Sequence, residues 1–254
     1  MSVEKVRGIV IKEMNKGETS KNLIVLAKEK GKIFMIAKGA RKSKSHLMAS
    51  SQIFSYCDFI TYTSGNSNKY YNIMQSEIID TFYNIRMDVE KLAYSYYIIE
   101  LVEKTCLENM ECNNIIILIL KTFSFMSKLD INKINPRFVV VVFQIKYMVI
   151  SGFMPQTENC VFCGNYNDIT YFSNIEGGVM CQNCKKNGIE GIRISQGAYK
   201  SLKYIIKSDI SKIFMFRISD DVLNEIFNIS KQYILTHINI NFKTLDFAES
   251  LRDI

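Results

Sequence analysis

Cys160-Val161-Phe162-Cys163 and Cys181-Gln182-Asn183-Cys184 decide how this chain is read. The two Cys-x-x-Cys pairs are separated by the 17 residues from Gly164 to Met180, the spacing of a four-thiolate zinc site. A two-residue gap lets both sulfurs of a pair turn back onto one metal, and a second such knuckle completes a tetrahedron. Between the knuckles Asp168–Ser173 reads as a strand, Asn174–Gly178 as a turn, and Val179-Met180 as the return to the second pair. Gly164, directly after the first knuckle, supplies the positive φ that so tight a turn needs. Disulfides, redox thiols and ordinary core cysteines are the competing readings, and four cysteines in two matched pairs favour the metal. Full thiolate coordination leaves no open position for water. The expected Zn2+, one per chain, is therefore structural and worth about 10–16 kcal/mol of apparent binding energy to the small hairpin it closes.

The 254 residues are enough for one large or two modest domains. An apolar content of 48% with only 2 prolines argues against disorder. The formal charge of +7 and the pI near 8.9 favour a polyanionic partner. Met1-Ser-Val-Glu-Lys-Val-Arg7 is followed by alternating residues and not by an apolar block, so no secretory signal is expected. The longest apolar runs, 115–120 and 138–150, are too short or too interrupted (Gln144, Lys146) for the ~20 residues of a bilayer span, so no membrane is expected. Cys57, Cys106 and Cys112 share no partner spacing and read as reduced, buried thiols of a cytoplasmic protein.

Upstream, residues 6–80 read as five short strands with Gly-marked turns: 6–14, 22–27, 32–37, 52–62 and 70–79, the last two separated by Ser64–Asn68. That pattern fits a small closed antiparallel barrel of OB type, and an SH3-like barrel would use the same one. Residues 1–80 carry 13 Lys/Arg against 7 Asp/Glu, so most of the net charge sits here. It concentrates in Lys28, Lys30, Lys32, Lys38, Arg41, Lys42 and Lys44. The tract Lys38–Ser45 reads as a flexible basic loop, either a solvated charge run or a set of ammonium groups that neutralise phosphates. Phe34, Phe54, Tyr56, Tyr62, Tyr70 and Tyr71 are core residues or candidates for stacking bases.

From about residue 81 the period becomes helical: Ile85, Val89, Leu92, Ala93, Tyr96, Ile99 and Val102 recur at three- and four-residue steps. Asn114–Leu129 continues as a second helix. Phe138–Phe143 has strand propensity, yet Asn135 can cap, Pro136 suits a first helical position, and Gly152 waits at the end. These signals predict a buried helix. Ser195 and Ser219 cap two more, running to about Lys207 and His237. A second basic block comprises Lys185, Lys186, Arg193, Lys200, Lys203 and Lys207, whereas residues 81–135 are nearly neutral. The whole therefore reads as an α+β multidomain chain. Residues 1–80 form a five-stranded antiparallel OB-type barrel. Residues 81–254 form a mostly α-helical domain with a four-cysteine zinc ribbon inserted at about 157–190.

No phosphate-cradling Gly-x-x-x-x-Gly-Lys-[Ser/Thr], no Gly-x-Gly-x-x-Gly after a strand, no His-Glu-x-x-His and no carboxylate cluster suited to magnesium occurs. His46 and His237 read as surface or helix-end residues. These absences point away from an enzyme and give no catalytic residue.

Gly8-Ile-Val-Ile, Gly17-Glu-Thr-Ser20, Gly31–Arg41, Gln52-Ile-Phe, Ser151-Gly-Phe-Met-Pro155 with Cys160–Gly164, Gly177–Cys184, and Tyr233–His237 with Asn241–Leu245 are distributed over the full length. Together they resemble the RecO family of bacterial recombination and repair mediators. The loop Ser64–Lys69 and the basic tract beyond Arg41 depart from the family pattern. The resemblance implies an N-terminal OB barrel and a helical domain with a zinc ribbon, in a cytoplasmic, nucleoid-associated protein. It further implies a non-enzymatic mediator that binds single- and double-stranded DNA and anneals complementary strands. Its implied partners are RecR, sometimes RecF, and single-strand-binding protein on the DNA, so that RecA can load.

On that reading the barrel face around Lys38, Arg41, Lys42 and Lys44 holds strands, with Lys185 to Lys207 as a candidate second strand path. A protein-interaction scaffold without direct annealing is the rival from another class. An enzyme using Cys160 and Cys163 as a redox dithiol is the third reading.

Overall fold

A computed structural model of the chain describes residues 2–63, 70–108 and 110–252. Five strands, β1 (Ser2–Lys16), β2 (Ser20–Ala27), β3 (Gly31–Ala37), β4 (Tyr56–Thr63) and β5 (Tyr71–Asp80), close into a barrel in the order β1-β2-β3-β5-β4. The expected turn Ser64–Asn68 lies outside the described residues. β1 is long because it serves two neighbours. Residues 8–16 pair with β2, residues 2–9 pair with β4, and a bulge between Val10 and Lys12 bends the strand between them. At Gly8, where the two pairings overlap, a Cβ would lie 2.6 Å from Val25 Cγ1 and 2.7 Å from the Leu26 carbonyl. Only glycine lets the strands approach this closely.

Two expectations are corrected here. The barrel is not wholly antiparallel, because β3 and β5 meet as a parallel pair through Met35↔Tyr71 and Ile36↔Asn72. A parallel seam needs a crossover of a dozen residues or more, and the segment from Lys38 to β4 supplies one. That segment is also not a flexible loop. Hydrogen bonds from Arg41 N–H to the Thr19 carbonyl (2.9 Å), Lys42 N–H to Gly39 (3.0 Å), Ser45 N–H to Lys42 (3.0 Å) and Ser51 N–H to Leu47 (3.0 Å) fold it into successive turns. Ala40 and Leu47 sit in the barrel core with Val6, Val10, Val25, Met35 and Phe59. The fourth strand consequently starts at Tyr56 and not at Gln52. Phe54 lies in a turn at φ 71°, fully buried, with its ring 5.3 Å from that of Tyr96.

The chain divides into two compact units, Met1–Ile117 and Leu118–Ile254. The first holds the barrel and α1 (Val89–Thr105), which Asp88 caps by accepting from the Lys91 N–H. Lys12 pairs with Glu103 of α1 at 3.0 Å, and Lys32 Nζ donates to the Glu103 carbonyl at 2.9 Å. The boundary falls within α2 (Asn113–Lys128).

In the second unit α3 (Pro136–Ile150) is the central helix, buried along almost its whole length. Its valine run is helical because Asn135 Oδ1 accepts from the Arg137 N–H (3.0 Å) and Pro136 presets the first turn. Tertiary context here overrides strand propensity. Across the region of the two Cys-x-x-Cys pairs, β6 (Ile169–Ser173) and β7 (Gly178–Cys181) form the expected hairpin. They are followed by a short α4 (Gln182–Lys186) and a two-residue β8 (Ile192–Arg193) that adds a third strand in the order β7-β6-β8. Ser195 and Ser219 cap α5 (Gln196–Lys207) and α6 (Asp220–Ile238) as expected, and α7 (Lys243–Ser250) follows. Among the described residues no helix is long and apolar enough to cross a membrane.

Lys146, buried on α3, ends α5. Its Nζ donates to the carbonyls of Ser208 (2.6 Å), Ile206 (2.9 Å) and Ile205 (3.4 Å), oxygens that the last helical turn leaves without intrahelical partners. Burial lowers the Lys146 pKa, and Asp209 opposes that shift. Replacing Lys146 with Met keeps the stem and strips these carbonyls of their donor. The expected loss is about 2 kcal/mol, within the range for buried unsatisfied groups, read as a lower urea midpoint at unchanged m-value.

Candidate functional site

The four cysteines converge. Their sulfurs all lie within 4.8 Å of one another, with Cys160–Cys184 at 3.7 Å and Cys163–Cys181 at 3.6 Å. Four metal–sulfur bonds of about 2.3 Å in a tetrahedron give edges of about 3.8 Å, so the donor set has the size and chemistry of a metal site. The close contacts join one knuckle to the other, and all four thiols are free. The two knuckles are built differently, the first as a tight turn and the second at the junction of a strand and a helix. Gly164, at φ 73°, donates its N–H to the Cys160 carbonyl (2.9 Å), and Cys160 N–H donates to Asn165 (2.8 Å). Cys181 ends β7 and precedes α4, which carries Cys184.

Burial pushes the Cys160 thiol up, but backbone N–H groups of Cys181, Cys163 and Phe162 aimed at its sulfur outweigh this and bring it down to about 6. Burial and the neighbouring thiols push Cys184 up to about 12. A cation at the centre would remove that opposition, since it binds the thiolate form of each ligand.

The module is seated within its unit by close packing. Val161 N–H donates to the Val179 carbonyl (3.0 Å), and Val179 N–H to Gln156 (2.9 Å). Tyr233 of α6 donates to the Phe153 carbonyl (3.1 Å) and sets its ring 5.8 Å from that of Phe172. His237, read from sequence as a helix-end residue, places Nε2 2.9 Å from the Asn174 carbonyl at the hairpin tip.

The seven basic barrel residues do not form one patch. Lys28 and Lys30 lie on the turn before β3 and Lys38 directly after it, so the seven-residue strand separates them by roughly 20 Å. Lys32 is half-buried on Glu103, and Lys30 pairs with Glu4 at 2.8 Å. At the other end Lys38, Arg41, Lys42 and Lys44 are all exposed. Arg41 Nη1 donates to the Gly17 carbonyl (2.9 Å) and Gly39 N–H to Ser20 Oγ (3.2 Å), which ties the basic turns to the β1–β2 hairpin. Lys16, beside Gly17 and exposed, thereby joins the group. Sequence reading missed it, and its signal was its place at the end of the first strand.

Lys38 lies 3.2 Å from Tyr62 Oη and 5.9 Å from the ring centre. Lys42 and Lys44 make no ion pair among the described residues. Of the candidate stacking residues Phe54 is sealed in the core, Tyr70 is exposed with its ring 6.2 Å from that of Phe34, and Tyr62 is half-buried.

The second basic block is partly neutralised. Glu158, at the entry to the cysteine module, pairs with Lys207 at 2.8 Å and Lys203 at 3.3 Å, and these ammonium groups lower its pKa. Lys185 sits 5.9 Å over the Tyr171 ring, Arg193 lies on β8, and Lys186, Arg193 and Lys200 are exposed. Cys57, Cys106 and Cys112 are buried and in no disulfide, as expected.

Two family signatures match the chain. The one described as Recombination protein O N terminal covers residues 1–82, and Recombination protein O C terminal covers residues 86–246. Among curated proteins, DNA repair protein RecO of Acetivibrio thermocellus is 35% identical over 252 residues, 99% of this chain and 98% of that protein. DNA repair protein RecO of Alkaliphilus metalliredigens is 33% identical over 97% of this chain and 99% of its own length. That of Thermoanaerobacter sp. is 31% identical over the whole of both chains.

Gly178 starts β7 against the first knuckle. A Cβ there would lie 2.5 Å from the Gln156 carbonyl and 2.6 Å from Val161 Cγ1. Gly178→Ala is expected to cost about 1–3 kcal/mol through overpacking. Thermal unfolding measures that cost, and faster reaction of the four thiols with a thiol reagent reports the displaced strand.

Proposed function

This chain belongs to the RecO family, and on that premise we propose that it is a non-enzymatic mediator of DNA repair and recombination that binds DNA and anneals complementary strands. The observation that carries the reading is the basic end of the barrel, where Arg41 fastens Lys38, Lys42 and Lys44 to the hairpin that carries Lys16. Ammonium and guanidinium groups held on a rigid rim neutralise phosphates and release counterions. Tyr62, beneath Lys38, offers a ring against which a base can stack. Two backbones brought to one positive rim repel each other less, which is all that annealing needs from a protein without catalytic groups.

Cys160, Cys163, Cys181 and Cys184 would hold one Zn2+, which supplies a closed tetrahedral brace and no reactive position. A cleft of about 260 Å3 in the second unit would receive the acidic, aromatic-ended tail of single-strand-binding protein. Phe138, Phe214 and Phe216 line it, with Lys133 and Arg217 beside them. RecR, with RecF in some settings, would join the complex so that RecA can load. Tyr166 and Ile175, exposed on the cysteine module, favour a second reading in which this module docks a partner protein and the chain is a scaffold.

Annealing of two labelled complementary oligonucleotides separates the readings. Wild type is compared with a variant carrying Glu at Lys38, Arg41, Lys42 and Lys44, each shown to be folded and to hold one zinc per chain. Fast annealing by wild type and a loss of about tenfold or more in the variant is the expected result. Equal rates would move the strand path to the block from Lys185 to Lys207. No annealing by either would leave the scaffold.

A further inference from the structure

The first half of β1 uses only one of its edges. It pairs with β4 from Ser2 onward, but its pairing with β2 begins only at Gly8, opposite Ala27. Along an antiparallel ladder a residue turns its N–H and C=O to the same neighbour, and successive residues alternate. The Arg7 carbonyl accepts from Lys28 N–H at 3.3 Å, on the β2 side. Val3 and Lys5 therefore face that side as well. Glu4, whose carbonyl accepts from the Thr61 hydroxyl at 3.4 Å, faces β4. Among the described residues no strand pairs with Val3 or Lys5 on the β2 side.

This edge borders a cleft of about 360 Å3, lined by Val6 and Ala27, by the cations Lys5, Arg7, Lys28 and Lys30, and by the carboxylates Glu29 and Asp58, with Lys30 paired to Glu4. Asp58 carries two cations, Lys5 at 2.7 Å and Arg7 at 2.6 Å, and these hold its carboxyl well below the usual carboxylate range. That carboxylate is buried beneath them, while the side chains of Lys5 and Arg7 remain 60% and 53% exposed. Lys28 is exposed too, and it makes no ion pair among the described residues. Lys5, Arg7 and Lys28 thus face solvent beside the free backbone groups of Val3 and Lys5.

Lysines on an open edge guard against edge-to-edge pairing of like chains. A second copy of β1 would set Lys5 and Arg7 against their own kind, so self-pairing is repelled. A nucleic acid could meet the charge but offers no ladder of amides at the two-residue repeat of a strand. An acidic polypeptide meets both requirements.

We propose that the free edge of β1 at Val3 and Lys5 takes up an acidic, extended segment of a partner polypeptide by strand addition. Backbone pairing at Val3 and Lys5 supplies affinity, and the cleft cations select acidic side chains. This occupant is distinct from the tail assigned to the phenylalanine cleft, and neither site depends on the other.

The test uses the full-length protein and a labelled, capped octapeptide of alternating Asp and Val. Two further versions are N-methylated on one or the other alternate set of amides. The parent peptide is expected to bind and to slow amide hydrogen exchange at Val3 and Lys5 by tenfold or more. One methylated version should bind as well as the parent and the other at least tenfold more weakly, because only one set of amides faces the edge. Val3→Pro removes an edge donor without changing charge, and an edge strand tolerates it. It should weaken the peptide at least tenfold at an unchanged melting temperature. Equal binding by both methylated versions would overturn the proposal, as would no peptide binding at millimolar concentration. A single-stranded oligonucleotide that slows exchange at the same two amides would overturn it as well, giving the cleft to nucleic acid.

Discussion

One strand pairs with two neighbours, and much of the first unit follows from that. β1 must pair with β2 along its second half and β4 along its first, so it bends at the bulge after Val10 and the barrel closes. The bend carries the hairpin at Gly17 toward the turns that follow β3, where Arg41 fastens on it. It also leaves residues 2–7 ahead of the start of pairing with β2. The basic rim proposed to hold DNA and the free edge proposed to hold a peptide are thus two ends of one strand. Each exists because a barrel of five strands needs one strand long enough to be shared.

The cysteine module is a second, independent constraint. Its sheet of three short strands is too small to bury a core of its own, and a set of four thiols at metal-site separation is what such small modules use in its place. Helix α6 contributes Tyr233 and His237 to the hairpin, and α5 contributes Lys203 and Lys207 to Glu158. Two lysines that look like a strand path in the sequence therefore also position the module. Their charge is shared with a carboxylate, and this is why the barrel rim is the stronger candidate for binding DNA.

Features with a local cause could be read from the sequence. The cysteine spacing, the strand-like stretches of the barrel, and the caps at Asn135, Ser195 and Ser219 all act within a few residues of themselves. They specified the elements even where propensity disagreed, as in the valine run of α3. Features that depend on distant partners could not be read. The parallel seam between β3 and β5 joins residues some 36 positions apart. The basic tract seemed a loose loop because nothing local reveals that Ala40 and Leu47 enter the core. Nor does charge spacing show that Lys32 is taken by a helix carbonyl, or that β3 holds Lys28 and Lys30 apart from Lys38.

The most direct measurement is the salt dependence of affinity for a labelled single-stranded oligonucleotide. Wild type is compared with a variant carrying Gln at Lys38, Arg41, Lys42 and Lys44. Each phosphate neutralised contributes about 0.7 to the slope of log affinity against log salt for single strands. If the rim holds the strand, wild type binds with a steep slope and the variant loses about 3 from it. Identical slopes in the two proteins, or an affinity indifferent to salt, would contradict the account.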